Sequence, residues 1–407
     1  MDVNPSQAER SWPAAVVTGG FQTGVVLMRN LHRRGVRVFC VESNRRQPAF
    51  RTIYGKALQC PNPDTEPRAW VEFMIRLSRQ IGGAPVLISS SDRFVTAIAD
   101  HTRELAEYFL FCQSAAIQGL LATKERQYQI AEAHGLPVPR TSFIRSREEL
   151  ALFAAQARFP CLLKPLHFRE WTRFPRPHPL FDQKVAVATS EQDLEFLYQL
   201  AAQVNPEVVA QEVIEGPDTA KLVYLSCYNQ QSERIASCLV RQLRTDPIYF
   251  GSASVVEPVL DHETDVLCDQ FLRGIHYVGL CEIELKRDRR DGCIKMIEAN
   301  PRYSITADAA PYAGVDLGWL HYLDLIGKRV IPMTQNGRDF RHVVLFRDLA
   351  AIPQYRRENL LTWYEVLQSY RKPVEFFDFD WRDWRVTATQ VLHLTKILAR
   401  SVVRRLS

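Results

Sequence analysis

Short apolar runs alternate with segments of helical periodicity in the first part of the chain. The apolar runs at residues 14–18, 36–41 and 85–89 predict strands, and residues 25–34 and 68–81 have the pattern of amphipathic helices. Strands that alternate with helices in this way favour a small parallel sheet with helices on its faces. We therefore predict a Rossmann-like domain at the start of the chain.

A period-two pattern further along predicts a β-hairpin. Residues 281–288 alternate in polarity, an Asp-Gly pair at 291–292 supplies a turn, and residues 297–302 return. The alternation places these polar residues on one face of their arms: Glu282, Glu284 and Lys286 in the first, and Glu298, Asn300 and Arg302 in the second. Carboxylates and an amide that converge across the ladder suit Mg²⁺, which takes its other ligands from water and nucleotide phosphates. The alternative is a solvated hairpin whose charges face water.

The composition is that of an ordinary globular protein, with 46% apolar and 24% charged residues. The formal charge of +5 is a mild excess without a dense Lys/Arg tract in the first 380 residues, which argues against nucleic acid as the main partner. Nine cysteines without a Cys-x-x-Cys pair argue for a reducing compartment and against a disulfide or zinc framework. Because the sequence shows no signal-peptide core and no run of 18 apolar residues, we expect a cytoplasmic protein.

The hairpin ends in the motif Glu-x-Asn-Pro-Arg at residues 298–302. This motif resembles the metal-binding signature of the ATP-grasp superfamily. The resemblance implies an α/β protein in which an N-terminal Rossmann-like domain precedes a two-lobed ATP-grasp domain, α+β in its lobes. It also implies ATP as cofactor, with Mg²⁺, or Mn²⁺ in its place, held by Glu284, Glu298 and Asn300.

Other segments extend the resemblance over residues 120–330. A predicted helix that begins at Lys124, an apolar strand that ends in Lys164, a run at 208–218 and the segment 313–317 follow one another in the superfamily's order. The resemblance assigns the nucleotide to these residues: Lys124 and Lys164 beside the phosphates, Lys184 within reach of the nucleotide, Glu212, Val213 and Ile214 at the adenine, and Glu215 or Asp218 at the ribose.

The activity that the resemblance implies is carboxylate-amine ligation, as in ligases related to D-aspartate ligase. ATP would convert a small carboxylate into an acyl phosphate, which an amine would attack. Arg302 would steady the acyl phosphate or the tetrahedral oxyanion. Arg241 and Arg244 would line the cleft and hold the transferred phosphate or an acidic substrate, and the alternative is a strand whose arginines face water.

Between Lys164 and Lys184 the chain has no glycine, although the superfamily has a glycine-rich flap there. Either cationic side chains of residues 167–178 close over the phosphates, which we favour because the metal hairpin and both lysines are kept, or the segment faces solvent and activity is compromised.

Two features of the N-terminal domain have two interpretations each. The loop at residues 19–24 is a weak candidate for a nucleotide site, and a tight strand-to-helix turn explains its glycines more simply. Asp92 follows a predicted strand, where it would cap a helix, contact substrate, or do both.

We predict an N-terminal domain at residues 1–115, an ATP-grasp domain at 116–330 with lobes at about 140–212 and 213–330, and a C-terminal extension at 331–407. The sequence leaves a homodimer open.

The end of the extension has the pattern of a basic amphipathic helix. On a helix, Lys396, Arg400 and Arg404 form one stripe opposite an apolar face, and Trp381 and Trp384 precede it. Such a helix either lies on an anionic membrane surface or packs on the protein's own core.

Two other functional classes remain open at this stage. A nonenzymatic ATP-binding module would keep Lys164 and Glu212 and tolerate a defective flap. A Rossmann oxidoreductase would bind a dinucleotide at residues 19–24.

Overall fold

The fold is known from a computed structural model, which describes residues 12–112, 114–166, 170–377, 379–389 and 391. The chain begins with a parallel sheet of strand order β3-β2-β1-β4, flanked by helices. Its elements are β1 (Ala15–Thr18), α1 (Gln22–His32), β2 (Val38–Glu42), β3 (Lys56–Gln59), α2 (Pro67–Ile81), β4 (Val86–Ser89), α3 (Asp92–Asp100), α4 (Thr102–Leu105) and α5 (Ala115–Leu121). The predicted α/β class and the N-terminal Rossmann-like sheet are confirmed.

Strands β1, β2 and β4 form because their apolar runs are buried on both faces, as is usual in parallel sheets. Ala15, Val16 and Val17 of β1 are fully buried beneath the helices. The edge strand β3 escaped prediction because its Lys-Ala-Leu-Gln sequence is short and only half-buried. The carboxyl ends of β1 and β4 run into α1 and α3, so these helices begin at the same edge of the sheet.

A smaller sheet of order β5-β8-β6-β7 follows and forms one lobe of the second domain. Its elements, after α6 (Lys124–Ala133), are β5 (Thr141–Ile144), α7 (Arg147–Ala154), β6 (Cys161–Pro165), β7 (Ala186–Ala188), α8 (Glu191–Ala201) and β8 (Val208–Glu212). Ser146 and Ser190 cap α7 and α8 by accepting hydrogen bonds from backbone amides in the first turn. The helices cover one face of this sheet.

The larger lobe is built on a mostly antiparallel sheet of order β13-β12-β9-β10-β11-β15-β16, with β14 beside β10. The strands are β9 (Lys221–Tyr228), β10 (Arg234–Asp246), β11 (Ser252–Pro258), β12 (Gly279–Arg287), β13 (Ile294–Asn300), β14 (Met333–Thr334), β15 (Arg341–Val343) and β16 (Val374–Phe376). The helices are α9 (His262–Gly274), α10 (Leu317–Leu325), α11 (Leu345–Arg357) and α12 (Trp363–Ser369).

The sheet of the larger lobe continues past residue 330, because β14, β15 and β16 all pair within it. The boundary predicted there therefore falls among strands of one sheet. Most of the predicted basic helix, including Lys396, Arg400 and Arg404, lies outside the described residues. Within the part of the chain that the structure describes, no helix is long and apolar enough to cross a membrane.

Candidate active site

A cleft of about 1000 Å³ opens where the N-terminal domain and the two lobes meet. The N-terminal domain lines it with Phe21, Thr23 and the segment 90–92, which follow β1 and β4. The smaller lobe supplies β6 and β8, and the larger lobe supplies one face of the hairpin β12–β13. Three parts of the fold therefore present polar side chains to one space.

The hairpin has the register that the sequence pattern predicts. Glu282 lies opposite Asn300, and Glu284 lies opposite Glu298. Directly opposed residues of an antiparallel pair project from the same face, so these side chains converge on the cleft. Glu282 accepts hydrogen bonds from Asn300 Nδ2 at 3.0 Å and from Ser304 Oγ at 2.6 Å.

Three carboxylates share this short stretch of cleft wall. Burial, and then the charges of Glu282 and Glu298, raise the pKa of Glu284 to about 8. Burial also raises the pKa of Glu282, although its hydrogen bond from Ser304 opposes the shift. The raised pKa values show that these crowded carboxyl groups resist ionising together, and a bound cation would favour their charged forms.

The described residues include no group of three or more His, Cys, Asp or Glu side chains placed around one ion. The predicted set of Glu284, Glu298 and Asn300 has two carboxylates and one amide, which are hard oxygen donors. Mg²⁺ usually takes few protein ligands and keeps waters or phosphate oxygens in its other positions, so this donor set fits it.

Lysines face the carboxylates across the cleft. Lys124, Lys164 and Lys184 all line it, as the nucleotide-phosphate prediction requires. Burial lowers the pKa of all three, and the charge of Lys164 lowers that of Lys124 further. Lys164 donates a hydrogen bond to Gln211 Oε1 at 2.8 Å, which fixes its amine over β8.

Helix α6 holds Lys124 against the hairpin. Gln127 Oε1 accepts the backbone amide of Ala299 at 2.7 Å, and the Tyr128 hydroxyl donates to the carbonyl of Ile297 at 2.6 Å. Because both contacts lie on β13, the first turn of α6 is fixed beside Glu298. A lysine on this turn adds positive charge close to the carboxylates.

The linker between the lobes places Glu212, Val213 and Ile214 along the cleft. Glu212 Oε1 accepts the backbone amide of Arg158 at 2.8 Å, which orients the carboxylate at the end of β8. These residues lie together where the sequence resemblance assigns the adenine.

The chain is similar to known proteins in sequence and in fold. No family model matches the chain. It is 26% identical over 270 residues to a D-aspartate ligase of Enterococcus faecium (strain Aus0004), which covers 63% of this chain and 63% of that protein. The chain thus spans less than two thirds of the length of that relative.

Solved structures share the fold at low sequence identity. N5-carboxyaminoimidazole synthetase of Staphylococcus aureus complexed with ADP superposes with a TM-score of 0.63 at 14% identity, covering 86% of this chain and 87% of that one. Biotin carboxylase of Campylobacter jejuni superposes with a TM-score of 0.60 at 15% identity, covering 78% and 71%. The chain therefore has the fold of these enzymes.

In this cleft, Arg302 is held from two sides. Its Nε and Nη2 donate to the Asp92 carboxylate at 2.6 and 3.1 Å, and Nη2 also donates to Asn300 Oδ1 at 3.1 Å. Burial lowers the pKa of Arg302, but the charges of Asp92, Glu282 and Glu298 outweigh it and raise the pKa overall. Asp92 is not the helix cap: Ser91 precedes α3, and the Asp92 carboxylate joins the N-terminal domain to the hairpin.

Arg241 and Arg244 point away from the cleft, contrary to the sequence prediction. Arg241 pairs with Leu222, which pairs with Leu285 of the apolar core, so Arg241 is on the opposite face from Glu284. A bulge in β10 after Gln242 turns Arg244 to the same opposite face.

Both arginines are engaged there. Arg241 forms an ion pair with Glu257, and Arg244 donates to both oxygens of Asp348 at 2.7 Å. Neither is placed to touch a substrate in the cleft. For Arg244, sequence spacing missed this because the bulge changes the alternation of β10 without a Gly or Pro to mark it. Arg241 precedes the bulge, and its direction depends on which face of β10 is turned to the cleft.

Asp218 and Glu215 also lie outside the cleft lining. Asp218 is buried, where it pairs with Lys221 at 2.8 Å and accepts hydrogen bonds from Thr245 and the Tyr355 hydroxyl. Glu215 pairs with Arg289 at 3.0 Å. This arrangement does not support the ribose contact expected of either; Asp218 instead positions Lys221, which does line the cleft.

The cleft also contains residues that the sequence did not single out as ligands. Glu282, Ser304, Lys221 and Lys286 all line it. Period-two alternation does place Glu282 on the metal face, and that signal was available. Ser304 follows the hairpin in irregular backbone, where no periodicity reveals its direction.

The segment that replaces the glycine-rich flap is anchored by aromatic residues. Trp171 and Phe174 are buried in the core of the smaller lobe, and the Phe174 ring stacks on His178 at 3.9 Å. In its described part, Thr172, Asp182 and Lys184 reach the cleft, whereas the exposed Arg173 pairs with Glu170. Residues 167–169, part of the proposed cationic flap, lie outside the described residues.

The glycine-rich loop after β1 is a tight turn. Gly19 has a φ of +98°, and a Cβ on Gly24 would stand 1.9 Å from the Gly19 carbonyl oxygen. The glycines are therefore explained by close backbone packing. Phe21 and Thr23 of this turn form the end of the cleft beside Asp92.

Proposed function

We propose that this protein is an ATP-dependent ligase that activates a small carboxylate and couples it to an amine. The observation that carries the proposal is the convergence of Glu284, Glu298 and Asn300 with Arg302 and lysines in one cleft between three parts of the fold. The 26% identity to a D-aspartate ligase supports the same class of reaction.

A carboxylate is a poor electrophile, so it must be activated before an amine can attack it. A carboxylate oxygen of the substrate attacks the γ-phosphorus of ATP, the bond to the bridging oxygen breaks, and ADP leaves. The amine nitrogen then attacks the carbonyl carbon of the acyl phosphate, the bond to phosphate breaks, and the amine loses a proton. Positioning and neutralisation of charge are the protein's main contributions to such transfers.

The residues divide these tasks by their place in the cleft. Lys164 on the smaller lobe and Lys124 beside the hairpin offset phosphate charge, and Glu212 with the backbone of the linker orients the base. Glu284, Glu298 and Asn300 would hold Mg²⁺, which when bound would neutralise charge on the phosphate oxygens. Arg302 faces the side where the N-terminal domain ends the cleft, so it would steady the acyl phosphate or the oxyanion.

The test is a screen for ADP release across amino acids, hydroxy acids and amines, with hydroxylamine present to trap the acyl phosphate. A substrate found in this way is then labelled with ¹⁸O in its carboxylate. Attack of that oxygen on ATP must place one ¹⁸O in the released phosphate. ATP binding without ADP release across the screen would support a nonenzymatic ATP-binding module instead, and release without ¹⁸O transfer would rule out the acyl phosphate.

We also propose small carboxylates and amines as the substrates. The basic segment at residues 386–407 is a candidate contact with anionic membranes. Trp381 and Trp384, which precede it, are 71% and 64% exposed. Co-sedimentation of the full chain with anionic liposomes, compared with a chain that ends at Arg385, tests the contact. Equal and negligible sedimentation of both chains would reject the membrane contact.

A homodimer is tested by sedimentation equilibrium.

A further inference from the structure

A lysine of the hairpin lines the cleft without a partner in the protein. Lys286 of β12 is only 6% exposed, and its amine makes no hydrogen bond or ion pair among the described residues. The carboxylates whose charges attract it, Asp218 and Asp288, are already paired with other cations at 2.7–2.8 Å. A buried ammonium is costly when it has no partner, so the site favours a ligand that supplies one.

The neighbouring lysine on β9 is satisfied by the protein. Lys221 lies directly opposite Lys286 in the ladder, and both side chains line the cleft. The Lys221 amine donates to Asp218 at 2.8 Å and to the carbonyl oxygen of Tyr249. Of these two lysines, Lys286 is therefore the one whose donors remain available to a ligand.

Contacts with the linker between the lobes fix the place of Lys286. Arg290, in the turn of the hairpin, donates to the carbonyl oxygen of Val213 at 2.9 Å, so this end of the hairpin is bound to the linker. The Cε atom of Lys286 is 3.6 Å from the point that a Cβ on Gly216 would occupy. Lys286 thus lies beside the part of the linker that follows residues 212–214, which we propose orient the base.

Lys286 also lies between the proposed metal ligands and the linker. It follows Glu284 by two residues on β12, which is about 7 Å along a strand. The ribose of a nucleotide joins the base to the phosphates, so a nucleotide with its base at the linker and its phosphates at the metal ligands places its ribose in this interval. The acids expected at the ribose, Glu215 and Asp218, are outside the cleft lining.

We propose that Lys286 binds the ribose of the nucleotide and makes the site selective for ribonucleotides. Its amine donates a hydrogen bond to the 2′- or the 3′-hydroxyl oxygen, each of which has lone pairs to accept it. A cation of β12 thereby takes the place of an acid after the linker. This inference rests on the proposed ATP-dependent function, because it needs a nucleotide in the cleft.

The test is calorimetric titration of the full chain with ADP, 2′-deoxy-ADP and 3′-deoxy-ADP in the presence of Mg²⁺, which measures binding without turnover. One of the two deoxy analogues should bind at least ~10-fold more weakly than ADP, because it lacks the oxygen that a charged donor contacts. Lys286→Met should weaken ADP binding at least ~10-fold for the same reason. In this variant ADP and that analogue should bind within about 2-fold of each other, since the contact that distinguishes them is gone.

Thermal unfolding of the same variant distinguishes ligand binding from a structural role. Without nucleotide, Lys286→Met should unfold at the same temperature as the parent chain or higher, because it removes a buried charge that has no partner. Lys328→Met, at an exposed lysine after α10, is the matched control and should change neither stability nor affinity. A clear loss of stability in Lys286→Met, or failure of the variant to fold, would make the amine structural and overturn the proposal.

The nucleotide series separates this inference from the ligase proposal. If Lys286→Met leaves ADP affinity unchanged, or weakens all three nucleotides equally, the amine does not contact the ribose, and the ligase proposal stands without it. If the parent chain binds none of the three nucleotides, both proposals are refuted. ADP release in the substrate screen tests the ligase proposal by itself, whatever group holds the ribose.

Discussion

The two faces of the large sheet both carry charged side chains, but they arrange them in opposite ways. On the cleft face, Glu282, Glu284 and Glu298 stand together, and the pKa of Glu284 is raised to about 8 by burial and by its acidic neighbours. On the other face, Arg244 meets Asp348 in a bidentate pair, and both side chains are almost fully buried. The cluster of like charges on one face indicates a ligand-binding site. The paired opposite charges on the other face indicate a structural role.

The largest effect is expected on the face that carries the Arg244–Asp348 ion pair, because removing one partner leaves the other buried charge without a counter-charge. Arg244→Met should lower the free energy of unfolding by about 3–5 kcal/mol, because Asp348 would lose its cation. Chemical denaturation measures this loss. Replacing both residues, as in Arg244→Met with Asp348→Leu, should recover a large part of it. A single variant as stable as the parent chain would show that the pair is not structural.

On the cleft face the effect should fall on activity instead. Glu298→Gln and Glu284→Gln each remove an anionic ligand and keep its shape, so Mg²⁺-dependent ADP release should fall at least ~10²-fold, about 3 kcal/mol. Thermal stability in the absence of ligands should hold or rise, since like charges repel less. Glu263→Gln, at a carboxylate that is 64% exposed on α9, is the matched control. Near-normal turnover in both variants would show that Glu284 and Glu298 are not the Mg²⁺ ligands.

The lysines should contribute less than the metal ligands. Lys164→Ala should weaken ATP binding roughly 10-fold, because a charged hydrogen-bond donor to phosphate is lost. The shift in melting temperature on adding ATP should shrink in proportion, since a ligand stabilises the folded state only through its affinity. A full ATP-induced shift in the variant would place the phosphates away from Lys164.

Glu212→Ala should relax the preference for ATP over GTP.

Asp92 offers a smaller and more specific test of how the domains meet. Its carboxylate is half-exposed and pairs with Arg302, so a substrate carboxylate must compete with it for the guanidinium. Surface ion pairs contribute up to about 1 kcal/mol, so Asp92→Asn should lower the KM for the carboxylate substrate at most about 5-fold. The KM for ATP should not change. A raised KM for the carboxylate would instead make Asp92 part of the substrate site.

The sequence predicted side-chain directions correctly where a strand alternates regularly and failed where a strand is irregular. Alternation placed Glu284, Glu298 and Asn300 on one face. The register bears this out, because the irregularity in the β12–β13 ladder begins only after the Glu284–Glu298 pair. Clear apolar runs likewise predicted β1, β2 and β4. Where alternation is interrupted, as at the bulge in β10, the direction of Arg244 depends on pairing with β11, which no local pattern encodes. Asp218 was misplaced for a similar reason, because its partner Tyr355 lies 137 residues away.

The sequence predicted that Arg241 lines the cleft, and the structure directs it to the opposite face of the sheet. Of the substitutions considered, Arg241→Gln should have the smallest effect. Its side chain is 43% exposed and pairs with Glu257, which also has Arg341 and Lys372 within 4 Å. Arg241→Gln should therefore change the free energy of unfolding by less than about 1 kcal/mol, since the carboxylate keeps other cations and the guanidinium is partly exposed to solvent. Turnover and the KM values should stay within about 2-fold of the parent chain, because the strand directs this side chain away from Glu284. Steady-state kinetics on the variant decide the matter: a large fall in kcat would mean that the guanidinium reaches the cleft during turnover, and the division between a ligand-binding face and a structural face would fail at this residue.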